Sequence, residues 1–107
     1  MAKKYGPTIK KLQMAINERF GYHLLVNKTQ FFSDTNGKLL EMLVVKRMIW
    51  DEKKQKNKNI ELFASTSDVQ ITLFLRDLWY ELNGWTVPND NPKWTETKQK
   101  YMERHGK

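Results

Sequence analysis

The stretch from Ser67 to Gly84 constrains the fold more than any other part of the chain. Ser67 and Gln70 have the spacing of a capping box, and Ser65, Thr66 and Asp68 also suit a helix start. Ile71, Phe74, Leu75, Leu78, Trp79 and Leu82 then recur on one helical face, and Gly84 supplies the stop. Val69, Leu73 and Tyr80 form a second apolar stripe on roughly the opposite side. A helix that is apolar on two sides is sandwiched between layers. One side therefore needs a sheet, and the other meets the first helix, the C-terminal segment or a second subunit. The stripe of Val69, Leu73 and Tyr80 is accordingly a candidate homodimer seam or partner site, or the surface that the tail covers.

The remaining segments supply that sheet. Pro7 and Thr8 open a first helix whose Ile9, Leu12, Ile16 and Phe20 fall on one stripe, and Gly21 ends it. Tyr22 to Phe32 alternates as a strand does. Ser33-Asp34-Thr35-Asn36-Gly37 follows, and Asn-Gly between apolar runs is a hairpin signal. Leu39 to Trp50 reads as the return strand, with Leu40, Met42, Val44, Met48 and Trp50 sharing a face. The spacing of Leu39, Met42, Leu43, Ile49 and Trp50 also fits a helix; the Asn-Gly turn and Val44-Val45 favour the strand. Asp51 to Asn59 has no apolar anchor and reads as a solvated loop, after which Ile60 to Ala64 makes a third strand. Trp85 to Pro92 is a turn-rich connector, and Thr95 to Arg104 a short, weakly amphipathic helix, with Trp85, Trp94 and Tyr101 holding the tail down. The expected fold class is α+β. Its order is α-β-β-β-α, with a three-stranded antiparallel meander packed on a central helix and a short C-terminal helical tail. A chain of 107 residues is the size of a single domain, with its core over about 7–84 and its connector and tail over 85–107.

Charge narrows the choice of partner. Residues 1–59 carry thirteen Lys and Arg against five Asp and Glu, residues 60–90 one against five, and residues 91–107 five against two. A basic N-terminal half and tail bracketing an acidic segment suggest a polyanionic partner. Lys3, Lys4, Lys10 and Lys11 cluster near the first helix, Lys53, Lys54, Lys56 and Lys58 in the Asp51–Asn59 segment, and Lys46 and Arg47 within a strand. Flexible lysine stems suit phosphate oxygens and give salt-dependent, largely sequence-neutral affinity. The chain has no cysteine, which fits a reducing compartment and excludes thiolate metal sites. No apolar run reaches the roughly 18 residues of a membrane span, and the N-terminus lacks the apolar stretch of a signal peptide, so no membrane and a cytoplasmic location are expected. Fifteen lysines to four arginines, with eight asparagines, favour A-rich codons and hence an AT-rich bacterial or phage genome.

The order α-β-β-β-α resembles that of the double-stranded RNA-binding domain, and the likeness stops at topology. Where that family carries a lysine cluster at the start of its second helix, this chain has Ser65-Thr66-Ser67-Asp68, and Ser33 to Gly37 lacks the family's hairpin histidine. Phe31, Phe32, Trp50 and Phe63 would make a stacking platform if exposed, but their expected place is the core. Asp34 with Asp51-Glu52-Lys53 loosely echoes the acid pattern of metal-dependent nucleases, which need converging carboxylates. His23 and His105 have no nucleophile nearby, no glycine-rich phosphate loop is present, and no His/Cys metal spacing occurs. These readings give no catalytic residues, cofactor or metal. They point to a small basic binding protein for DNA or RNA, an accessory or regulatory factor of a phage or mobile element. The alternative is a protein-binding inhibitor that acts on a nucleic-acid-handling host protein, such as an anti-CRISPR protein directed at a nuclease.

Overall fold

The computed structural model describes residues 6–35 and 37–105. Helix α1 (Gly6–Phe20) leads into strands β1 (Leu24–Ser33), β2 (Lys38–Asp51) and β3 (Lys56–Ser65), followed by helices α2 (Asp68–Asn83) and α3 (Pro92–His105). The strands form one antiparallel sheet in the order β1-β2-β3. The fold is thus the α+β meander with a helical tail that the sequence implies.

Local chemistry fixes the element ends. Gly21 takes φ +60 and its N–H donates to Asn17 O at 2.9 Å, which closes α1. Asn17 then ties the helix to the sheet. Its Oδ1 accepts the Leu24 N–H at 2.8 Å and its Nδ2 donates to Leu24 O at 3.1 Å, where Gln13 Nε2 donates as well. The side chain of Leu24 is fully buried, so without α1 its backbone groups would lack partners. Ser67 caps α2 by accepting the Gln70 N–H at 3.3 Å, and the Gln70 side chain closes the cap on Ser65 Oγ at 2.7 Å. Gly84, at φ +76, and Trp85 end α2 by donating their N–H groups to Glu81 O and Tyr80 O.

All three helices lie on one face of the sheet. Ile9 and Ile16 of α1, Ile71, Phe74, Leu75 and Leu78 of α2 and Trp94 of α3 enclose Leu24, Val45 and Phe63. Phe63 sits at the centre, stacked on Phe74 at 5.0 Å and met edge-on by Trp94 at 5.3 Å. α3 is held by a buried carboxylate that the apolar pattern did not announce. Asp77 receives Trp94 Nε1 at 2.9 Å, Lys98 Nζ at 3.2 Å and Arg76 Nη2 at 3.0 Å, and Arg76 also grips Asp90 at 3.3 Å. Arg76 Nε adds a fourth donor at 3.1 Å, so each Asp77 oxygen accepts two bonds, and such a charge is tolerated inside.

Two expectations are corrected, and a third observation adds what alternation alone leaves open. The Asp51–Asn59 segment is not a loop: β2 runs to Asp51, a turn occupies Glu52 to Gln55, and β3 starts at Lys56. Phe31, Phe32 and Trp50 are not core; Phe32 is 62% and Trp50 55% exposed, and only Phe63 of that set is buried. Finally, the shared face of Leu40, Met42, Val44, Met48 and Trp50 is the face opposite the helices. Strand alternation places Leu43 and Val45 inward and their even-numbered neighbours outward. Val44, 6% exposed, is buried on this face, outside the cluster that packs under the helices.

Candidate nucleic-acid interface

The strands are offset, and the offset builds an arm. β1 begins at Leu24, opposite Arg47, and the His23 carbonyl accepts the Met48 N–H at 3.2 Å. Beyond that point β2 and β3 pair alone, Met48–Asp51 against Lys56–Asn59, as a two-stranded ribbon about 15 Å long. The register is re-set at its base. Val45 pairs with Phe63 but Lys46 with Glu61, so Leu62 is the extra residue of a β-bulge, a device that turns a strand's direction. Asp51 shapes the tip: its Oδ1 accepts the N–H groups of Lys53 at 3.1 Å and Lys54 at 3.4 Å. Gln55 takes φ +56 to return the chain, and its Nε2 donates to Glu52 O at 2.8 Å.

The two faces of this arm differ in chemistry. One carries the pairs Arg47–Ile60, Ile49–Lys58 and Asp51–Lys56; the other carries Met48–Asn59 and Trp50–Asn57. Lys56 and Lys58 thus share a row with Arg47, and Lys53 and Lys54 lie in the turn beyond it. All four lysines are exposed. Acid and base pair elsewhere in the molecule: Lys28 with Glu41, Lys98 with Asp77 and Glu81, Lys100 with Glu96, and Arg76 with Asp77 and Asp90. Among the described residues, no ion pair within 4 Å joins Lys53, Lys54, Lys56 or Lys58 to an acid, although Asp51 lies directly across the ribbon from Lys56. Arg47 is fixed at the base of the arm, with its guanidinium 4.3 Å from the centre of the Tyr22 ring.

The other expected contacts fall in different places. Lys46 lies on the opposite face of β2 from Arg47, so the two do not extend one basic surface. Lys10 borders a cleft with Lys28, Leu43 and Asp68, and Lys11 is exposed on α1. From Leu43 to Asp51 is about 25 Å along β2, so the α1 lysines and the arm lysines form separate basic sites. Lys3 and Lys4 lie outside the described residues. The second stripe of α2 is divided. Tyr80 packs edge-on against Trp85 at 5.4 Å, Leu73 lines a groove with Trp94 and Thr97, and Val69 at its end is exposed. Asp34 and Asp51-Glu52-Lys53 sit at opposite ends of β2, so the carboxylates of the nuclease-like pattern do not converge. Among the described residues no cluster of His, Asp or Glu could hold a metal ion.

One side chain near the base of the arm has a perturbed titration. Tyr101 of α3 donates its hydroxyl to Glu61 Oε2 beside an open cleft of about 440 Å³ lined also by Tyr22, Phe74 and Lys98. Burial, then the hydrogen bond to Glu61 and that carboxylate's charge, push the phenol well above its ordinary value.

Compared with protein families, curated proteins and solved structures, the chain matches none of them significantly. No helix among the described residues is long and apolar enough to cross a membrane.

Proposed function

We propose that this chain binds nucleic acid through phosphate contacts made by the β2–β3 arm. The observation that carries the reading is the group of exposed lysines Lys53, Lys54, Lys56 and Lys58 on a projecting two-stranded ribbon, continued at its base by Arg47. A two-stranded ribbon has the width that the major groove of B-form DNA admits, and phosphate contacts alone would serve an RNA duplex. Lysine ammonium groups on flexible stems reach phosphates without demanding a base sequence. Arg47, held over Tyr22, gives the row a fixed end. The reading is one of binding rather than of catalysis, and the partner is DNA or RNA in duplex form.

The test is affinity for labelled duplexes across a salt series. Wild-type binding is expected to weaken steeply as salt rises. Changing Lys53, Lys54, Lys56 and Lys58 together to alanine should lower the slope of log K against log salt by about 3 to 4, since each phosphate neutralised contributes about 0.9. Absence of binding at low salt overturns the reading; the same lysines would then serve a protein partner. An unchanged slope in the quadruple variant moves the phosphate contacts to α1.

A further inference from the structure

The sheet face turned away from the helices has an apolar central strand, with Val44 buried at its middle and Asn27, Thr29, Asn57 and Asn59 flanking it on β1 and β3. It carries Phe31 from β1 and Leu40, Met42, Val44, Met48 and Trp50 from β2. Its charges on these strands are Lys38 and Lys46, with Glu61 of β3, held by Tyr101, opposite Lys46; Glu41 and Asp51 both fall on the helix side. Among the described residues no helix lies over it. A face of about 33 by 15 Å gives each copy a footprint of roughly 500 Å², from the strand rise and spacing. Exposed apolar patches beyond a few hundred Å² mark interaction sites.

We propose that a second copy of this chain covers this face, with β2 stacked antiparallel on β2 about a two-fold axis at Val44. The row on β2 is self-complementary about that residue. Antiparallel stacking sets Leu40 over Met48, four positions to either side of Val44. It sets Met42 against the aliphatic stem of Lys46, two positions away, and Lys38 over the Trp50 ring, six positions away. The first pair is apolar contact, the second lets the ammonium reach the rim, and the third is a cation–π contact. The arrangement brings no two like charges together. Sheets stacked face to face lie about 10 Å apart with strands within roughly 30° of each other, so these near-axis pairings survive the twist. Two footprints total about 1,000 Å², the lower bound for a specific interface. Single-stranded nucleic acid fits this face less well. Successive bases need successive aromatic rings, and Phe31 and Trp50 are separated by about 33 Å of aliphatic side chains.

Sedimentation equilibrium over a concentration series tests the proposal. The wild type is expected at twice the 12.8 kDa of one chain. Met48→Glu, which sets a carboxylate against Leu40, should raise the dimer dissociation constant at least 100-fold. Met42→Glu, which meets Lys46, should leave it within tenfold. Circular dichroism checks the fold of each, and Trp50→Lys, facing Lys38 from an exposed position, replaces Met48→Glu if that variant unfolds. A monomeric wild type overturns the proposal, as does a dimer that both Met48→Glu and Trp50→Lys leave intact. Equal dissociation by Met42→Glu overturns the two-fold placement. A monomeric wild type whose nucleic-acid affinity drops in both glutamate variants would assign the face to nucleic acid instead.

Discussion

At the scale of single residues, the polar groups that join α3 to the body decide how the molecule responds to pH. The Tyr101 hydroxyl hydrogen-bonds to Glu61, and burial with that carboxylate raises its pKa above the ordinary 10.0. In the unfolded chain the phenol loses its proton near that ordinary value; in the folded chain it keeps the proton to higher pH. Between the two values the folded state binds a proton that the unfolded state has released. The contribution to stability is therefore complete below about pH 10 and is lost as pH rises through the folded value. Urea denaturation midpoints of the wild type should fall as pH is raised above 10.0. Tyr101→Phe should show less of that fall. A parallel decline in both proteins would mean that other groups carry the alkaline sensitivity. Asp77 contributes geometry: accepting from Trp94, Lys98 and Arg76, it ties α3 to α2.

At the scale of elements, the β2–β3 arm is held by its turn, and the turn contains a strained residue. Gln55 adopts φ +56, a left-handed conformation that costs a residue with a Cβ about 1 kcal/mol or more. Gln55→Gly relieves that strain at the expense of a more flexible unfolded chain and an exposed hydrogen bond to Glu52. The expected net is a stabilisation of about 0.5 kcal/mol, read as a raised denaturation midpoint, with duplex affinity unchanged because no lysine is touched. A lowered midpoint would show that the Gln55–Glu52 contact outweighs the backbone strain. The arm itself was not legible in the sequence, for a physical reason. Alternation is visible where one face of a strand is buried, and neither face of the arm is covered by helices, so Lys56 to Asn59 reads as polar loop. The turn cue was present, with Asp51 two and three residues ahead of the N–H groups it accepts. Helix α2 was legible from end to end because Ser67, Gly84 and the apolar stripe act locally. The grouping of Leu40, Met42, Val44, Met48 and Trp50 was legible too. Which face the helices cover was not, because a period of two tells which residues share a face and not what lies against it. Lys53, Lys54, Lys56 and Lys58 were recognisable as candidate contacts from their density, whereas the separation of Lys46 from Arg47 and of both from Lys10 and Lys11 needed the register.

At the scale of the whole molecule, a binding arm on one side of the sheet and a dimer contact on the other would fix the stoichiometry. The basic row of Arg47, Lys56 and Lys58 lies on the helix side of the sheet, and the proposed dimer uses the opposite side. Stacking two copies back to back therefore turns the two basic rows outward on opposite sides. The antiparallel arrangement also sends the arms to opposite ends. Each turn lies about nine residues from Val44, so the two tips stand roughly 60 Å apart. A straight duplex lying along one row cannot reach the other. Each dimer should then hold two duplexes, one per arm, with no help from one site to the other. Mixed duplexes carrying donor and acceptor dyes, short enough to occupy one arm each, should show protein-dependent energy transfer with the wild type. Leu40→Glu, which meets Met48 in the proposed dimer and lies outside the arm, should abolish the transfer while leaving affinity per chain within about twofold. Loss of affinity together with transfer would place Leu40 in the nucleic-acid contact and overturn the separation of the two faces. Retained transfer in a variant shown to be monomeric would mean that a single chain bridges two duplexes, the second held by the separate lysines of α1.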